Sequence, residues 1–474
     1  MGWGLLTMRY FAVTWILIMS TAGALYFYSR TRLPRVSIAL AGLTALLIAE
    51  KTPAFSWHAF TDMMIVLIII ATLWALERPS ARRLALVGVM AALATLARMP
   101  NVVAVPLLVL VMCIRGSYSG EWRRMWVLTG VMLAACAATF AAVVTAVFGS
   151  PAAYVAAVKG ALPTNHAPLE LVSVIYTTFI KWSPYWAVVA LGAVGAMLGA
   201  RIWPRPRAAV AISMAVAAYI GLTLADYVFD YYFRLIKYYQ LGMLLSALAY
   251  ILIKARRAGG RDVRLQVLAI VLLMTVPVAG SNTGLIRIPS AALYPVAAAV
   301  ALPWLSRRAC IYAACVAAAM LAYLGVRTLT VSYEDAGSLF ATQTVGHPRL
   351  EGLRTEEERA ADISELIALM PPAGSAERFA TAYTSTYYGY LAYYLADVWP
   401  TICAHEWRRV AMHTDSAQVA ECMDFVATAP RPLRVIFKPD DRLAGDADPL
   451  RLALEAASPD SVAVTPRYRA YLYR

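Results

Sequence analysis

The stretch Ser56–Trp74, SWHAFTDMMIVLIIIATLW, decides how the chain folds. From Met63 onward it is apolar except for Thr72, so it reads as a helix placed in lipid or fully inside a protein. Asp62 stands at the head of that run, with Trp57 and His58 just before it. The acid has two readings. It caps the helix together with Thr61, a position both residue types favour, or it is a functional carboxylate kept hydrated at a membrane surface.

Outward from this stretch the composition repeats the message. The 474 residues are 61% hydrophobic and 15% charged, with a mean hydropathy of +0.62. A water-soluble domain of this size is more charged, so most of the chain belongs in a bilayer. Apolar runs recur over residues 9–29, 36–50, 61–77, 84–98, 101–114, 125–148, 185–200, 208–225, 238–254, 265–280, 289–305 and 309–326. These predict about twelve transmembrane helices. The pair flanking LARMPNVVAVP reads as a broken or re-entrant element. The expected fold is an all-α multi-span domain over residues 1–326, followed by a small α/β extracytoplasmic domain over 327–474.

Orientation follows from the basic residues of the short loops. Loops at residues 30–35, 78–83, 115–124, 201–207, 254–264 and 307–308 carry 19 Lys and Arg, whereas the alternating set carries 8. The first set is assigned to the cytoplasm, so the tail faces outward. The net charge of +14 resides mostly in these anchors. It argues for a membrane and against nucleic acid as partner. The chain is expected to be multi-pass, in a bacterial plasma (inner) membrane.

The outward tail contains RTEEERAADISELIALM, with Ile363, Leu366, Ile367 and Met370 on one helical face. The segments beginning RFATA and LRVIF read as strands, the second after an APRP breaker. Residues 149–184, also outward, include an amphipathic stretch around 169–181 suited to the membrane interface. Cys113, Cys136, Cys310 and Cys315 lie in apolar runs and read as small packers. Cys403 and Cys422 lie in the tail, where an oxidising compartment permits a disulfide. No paired CxxC or similar metal cluster is present.

The region around Arg9 (LLTMRYFAVTWILIMSTAGALYFYSR), the acid-headed run at Asp62 and the hairpin GVMAALATLARMPNVVAVPLLVLV occur in that order. Together they resemble the GT-C fold glycosyltransferases that use polyprenyl-phosphate sugars, the class of protein O-mannosyltransferases and the lipid A aminoarabinose transferase. The resemblance covers about residues 1–200 by pattern and the remainder by architecture. It implies sugar transfer at the outer membrane face, with inversion. Asp62 matches the second of two acids in that family. Residues 1–9 contain no acid to match the first, and the topology starts Met1 outside without a cleavable signal. The expectation is a longer native product carrying one more span and an acid-bearing loop.

Glycosyl transfer needs a carboxylate to take the acceptor's proton and cations to hold the departing phosphate. Asp62 is the candidate catalytic acid. His58, four residues earlier, shares a helical face with it or is an ordinary interfacial histidine. Arg98 at the RMPN break contacts phosphate or snorkels to the surface. Arg234 and Lys237 sit in the aromatic DYVFDYYFRLIKYYQ, and Arg287 in the turn AGSNTGLIRIP, a site for an anion or a tight connection. His166 and Glu170 are weaker candidates. The expected partners are a polyprenyl-phosphate sugar, a glycan, lipid or protein acceptor, and membrane lipid. No cofactor is called for, although a divalent metal on Asp62 is possible. The competing readings are a transporter or flippase of lipid-linked glycans, a glycan polymerase, and a non-catalytic glycolipid-binding member.

The topology makes one direct prediction. A cysteine introduced at Ser375 is expected to react with an impermeant thiol reagent added outside intact spheroplasts. Labelling only after lysis reverses the orientation.

Overall fold

The structure is a computed structural model. It describes residues 5–49, 57–155, 234–257, 260–279, 288–304, 331–332, 335–336, 341–351, 354–371, 375–382, 401–404, 416–438 and 449–474, with a few isolated positions. The predicted spans at 185–200 and 208–225 lie outside these residues, as do most of 309–326 and the interfacial stretch at 169–181. The chain divides into two compact units, one over Thr7–Thr328 and one that includes Leu329–Arg474.

The first unit is built around helix α3, Trp57–Glu77. Every side chain from Met63 to Leu73 is buried. A helix apolar on all sides has no face to offer water, so it is stable only when neighbours cover its whole circumference. Those neighbours are α2 (Pro34–Ala49), α4 (Ala81–Ala97), α8 (Arg261–Leu273) and α9 (Ser290–Ala301). The remaining helices are α1 (Leu5–Thr31), α5 (Ala104–Ser119), α6 (Trp122–Phe148) and α7 (Arg234–Arg257). Among the described residues, four helical segments are long and apolar enough to cross a bilayer: Tyr10–Thr31, Phe60–Glu77, Met99–Ser119 and Trp122–Phe148. Such helices mark a membrane protein.

Lipid tails are as apolar as leucine, so transfer from water cannot distinguish the bundle interior from the bilayer. Close packing must hold α3 in place. The tightest approach is between α4 and α6. A Cβ at Gly88 would lie 2.1 Å from the carbonyl oxygen of Met132, so the two backbones touch there and only glycine fits.

One end of the bundle gathers the arginine-rich loops. Arg30 pairs with Glu77 at 3.0 Å and donates to Gln266 Oε1 at 3.3 Å, tying α1, α3 and α8. Arg115 at the end of α5 pairs with Asp262 in the first turn of α8. Arg124 in α6 donates to the Pro79 carbonyl at 3.3 Å. The Arg83 guanidinium lies 4.3 Å from the Trp74 ring centroid and donates to the Trp74 carbonyl at 2.7 Å. The contacts of Arg30, Arg115 and Arg124 fix the up-and-down order of the helices, because they tie loops distant in sequence at the same end.

The second unit is a sheet covered on both faces. Its strand order is β4 (Thr401–Ala404), β3 (Arg378–Ala382), β5 (Leu433–Phe437), β7 (Arg469–Tyr473), β6 (Ser461–Val464). The pairs β3–β4 and β3–β5 are parallel, and β5–β7 and β6–β7 antiparallel. A short ladder, β1 (Val331–Ser332) with β2 (Asp335–Ala336), stands apart. Strand β5 sorts its side chains by alternation. Leu433, Val435 and Phe437 join Leu450 and Leu454 of α12 (Pro449–Ala456) and Val426 of α11 (Ser416–Thr428). Ile436 joins Ile363 and Leu366 of α10 (Glu357–Leu369) on the other face. Cys422 in α11 is disulfide-bonded, and α11 packs on β4, the strand that carries Cys403.

Ion pairs hold α10 to the sheet. Lys438 reaches Asp362 at 3.1 Å, and Arg434, paired with Glu377 beside β3, donates to the Leu369 carbonyl at the end of α10 at 3.0 Å. Arg467 reaches Glu365 at 2.7 Å. Burial opposes ionisation of Glu365, but hydrogen bonds from Thr465, the Arg467 amide and the Arg467 guanidinium outweigh it and hold its carboxyl below the usual range.

Two predictions follow from this packing. Gly88→Ala is expected to lower thermal stability by about 1–3 kcal/mol through overpacking. Gly130→Ala in α6, where a Cβ meets nothing within 4 Å, is expected to be neutral or mildly stabilising. Equal melting temperatures for the two variants would remove the α4–α6 close approach. Because the folded pKa of Glu365 is depressed, its contribution is complete above the ordinary carboxylate value and fades as pH falls below it. Protection factors of α10 amides in the full chain, with the intrinsic pH dependence of amide exchange divided out, should therefore fall in acid, and Glu365→Gln should flatten that response.

Candidate functional site

At the end of the bundle opposite the arginine-rich loops, three breaks in regular structure meet. The first is the turn between α4 and α5. The last residue of α4 is Ala97, Arg98 is extended (φ −158°, ψ 115°), and a 3-10 turn runs Met99–Val103. Pro100 explains the interruption, since it has no amide to donate and its ring crowds the residue before it. The second break is the 3-10 turn Val276–Val278 after α8, again with a proline, Pro277. The two turns pack on each other, and the second also packs on α3. Arg98 joins them by donating from Nη1 to the Pro277 carbonyl at 2.7 Å.

The third is the start of α3. The helix begins at Trp57, five residues before Asp62, so Asp62 lies within it and does not cap it. The capping reading fails because the helix starts earlier than the apolar run does. Asp62 is half-buried. It stands fifteen residues above Glu77, about 22 Å along α3, while Arg98 stands about 25 Å above the start of the antiparallel α4. Carboxylate and guanidinium therefore occupy the same end of the bundle. Thr61 beside Asp62 is buried, and its hydroxyl makes no hydrogen bond among the described residues.

Asn101 was not among the sequence candidates. It is fully buried, and its Nδ2 donates to the Ala94 carbonyl at 2.9 Å, closing the end of α4. Its Oδ1 has no hydrogen-bond partner among the described residues. The assignment of the two amide atoms is forced, because only the nitrogen can donate to a carbonyl. An orphan acceptor in an apolar interior costs free energy unless a donor reaches it. The one sequence signal was an asparagine directly after the proline of an otherwise apolar run. Aromatic rings line the same end: Trp15 meets Phe60 at 5.5 Å, and the Tyr154 hydroxyl reaches the Met99 sulfur at 3.4 Å.

The other predicted residues are placed only in part. His58 is in the first turn of α3, and Arg234 and Lys237 are in the first turn of α7, but their side chains lie outside the described residues. Arg287, His166 and Glu170 lie outside them altogether. Among the described residues, no cluster of three or more His, Cys, Asp or Glu could hold a metal ion. No protein-family model matches the chain, and neither does any curated protein or solved structure.

The geometry at Asn101 is directly testable. Asn101→Asp places a carboxylate against the Ala94 carbonyl and removes the donor, so it is expected to cost more than about 1–3 kcal/mol. Asn101→Ala should cost less, because the Ala94 carbonyl keeps the amide of Arg98 at 3.1 Å. Thermal unfolding in detergent reads both; the reverse order would mean that Asn101 does not face that carbonyl.

Proposed function

We propose that the chain is an integral-membrane glycosyltransferase with a GT-C-like arrangement of about twelve spans, moving a sugar from a polyprenyl-phosphate donor to an acceptor at the outer membrane face. The observation that carries this reading is the common level of Asp62 and Arg98 on adjacent antiparallel helices. A carboxylate and a guanidinium at one end of an apolar bundle are the minimum that transfer from a lipid phosphate requires. The resemblance of the N-terminal pattern to polyprenyl-phosphate-sugar enzymes supports it independently. The disulfide at Cys422 suits a second unit on the oxidising side of the membrane, and the arginine-rich end then faces the cytoplasm.

In this reading the acceptor hydroxyl oxygen attacks the anomeric carbon, and the bond to the phosphate oxygen breaks. The polyprenyl phosphate leaves with the bonding pair. Asp62 takes the hydroxyl proton, and Arg98 neutralises the phosphate's negative charge. The Pro277 carbonyl accepts from the guanidinium and so fixes it at this level. A carboxylate at this level lies toward the membrane surface and not at the bilayer centre, where a charge is most costly.

Transfer of radiolabelled sugar from a polyprenyl-phosphate donor, in purified membranes, tests the proposal. The chain should transfer label, and Asp62→Asn should lose at least about 100-fold in rate, the usual contribution of a general base. Unchanged transfer by Asp62→Asn would strip Asp62 of that role. Donor binding without any transfer would leave a glycolipid-binding protein.

A further inference from the structure

The arginine-rich end of the bundle carries more positive charge than its own acids neutralise. Four helices, α2, α4, α6 and α8, begin there. Each has an arginine in its first two positions: Arg35, Arg82, Arg123 and Arg261. All four are exposed, and none makes an ion pair with a described residue. The nearby acids are taken: Glu77 pairs with Arg30, Glu121 with Arg124 and Asp262 with Arg115.

The placement runs against local preference. Helix N-termini carry partial positive charge and favour acids, yet the first turns of α2, α4 and α6 contain none. Arg83 and Arg124 are turned onto backbone carbonyls, whereas the four exposed guanidiniums add their charge to the helix ends. Aromatic side chains suited to a headgroup layer stand beside them: Trp122 is 43% exposed and Trp126 54%.

We propose that this end is a docking surface for anionic phospholipid headgroups, with Arg35, Arg82, Arg123 and Arg261 each meeting a lipid phosphate. The surface is separate from the Asp62–Arg98 end, at the other extreme of the same helices, and does not depend on any transfer activity. Phosphate diesters supply what the fold lacks there: negative charge and acceptor oxygens at the level where helix dipole and guanidinium both point outward. Charge beyond the helix ends then fixes the depth of the bundle as well as its orientation.

Native mass spectrometry of the full chain in neutral detergent, titrated with phosphatidylglycerol and phosphatidylcholine of identical acyl chains, tests this. The unaltered chain is expected to prefer phosphatidylglycerol at least roughly fivefold, the factor a single surface arginine supplies. The combined variant Arg35→Gln, Arg82→Gln, Arg123→Gln, Arg261→Gln should bind the two lipids equally. Equal binding by the unaltered chain would overturn the proposal, as would an undiminished preference in a folded variant. Should the variant fail to fold, salt decides with the unaltered chain, by vesicle co-sedimentation. Screening between about 0.01 and 1 M ionic strength should erase the preference, and a preference indifferent to salt would refute it.

Discussion

The structure depends on one constraint: α3 is apolar around its full circumference and must be covered on every side. A helix with one apolar stripe can sit at the edge of a bundle, but α3 cannot. Covering it fixes α2, α4, α8 and α9 as neighbours. In lipid this arrangement rests on contact and not on transfer from water, so close approaches such as Gly88 on Met132 carry weight out of proportion to their size.

The same constraint explains where polarity is allowed. The interior of α3 offers it little room, and polar groups collect at the two ends. One end is stitched by arginines pairing across loops, from Arg30 to Glu77 and from Arg115 to Asp262. The other end is where the helices break. Non-helical backbone at membrane depth persists only if its polar groups are satisfied or line a polar space. Arg98 closes the Pro277 carbonyl, and Asn101 adds a second donor to the Ala94 carbonyl, which also accepts the Arg98 amide. The break that disturbs the helices is also what brings a guanidinium to the level of Asp62.

Local patterns were legible in the sequence. The stripe of Ile363 and Leu366 forms the buried face of α10, and RFATA and LRVIF form the parallel pair β3 and β5. The proline in LARMPN announced a break, and one is there. What needed the structure was long-range. No spacing reveals that Arg98 finds a carbonyl 179 positions away, or that the sheet runs β4-β3-β5-β7-β6. Asp62 was read as a possible cap because the apolar run starts after it, yet the helix already begins at Trp57. Asn101 escaped because its role depends on the carbonyl it faces, not on its neighbours in sequence.

The central claim is that the broken end of the bundle holds a lipid phosphate. Equilibrium binding of radiolabelled polyprenyl phosphate to the purified full chain in nanodiscs measures it most directly. Charge-assisted contacts contribute about 1.5–3 kcal/mol, so Arg98→Gln should weaken binding by about tenfold or more while Arg98→Lys retains part of it. Unchanged affinity in a stably folded Arg98→Gln variant would contradict the account.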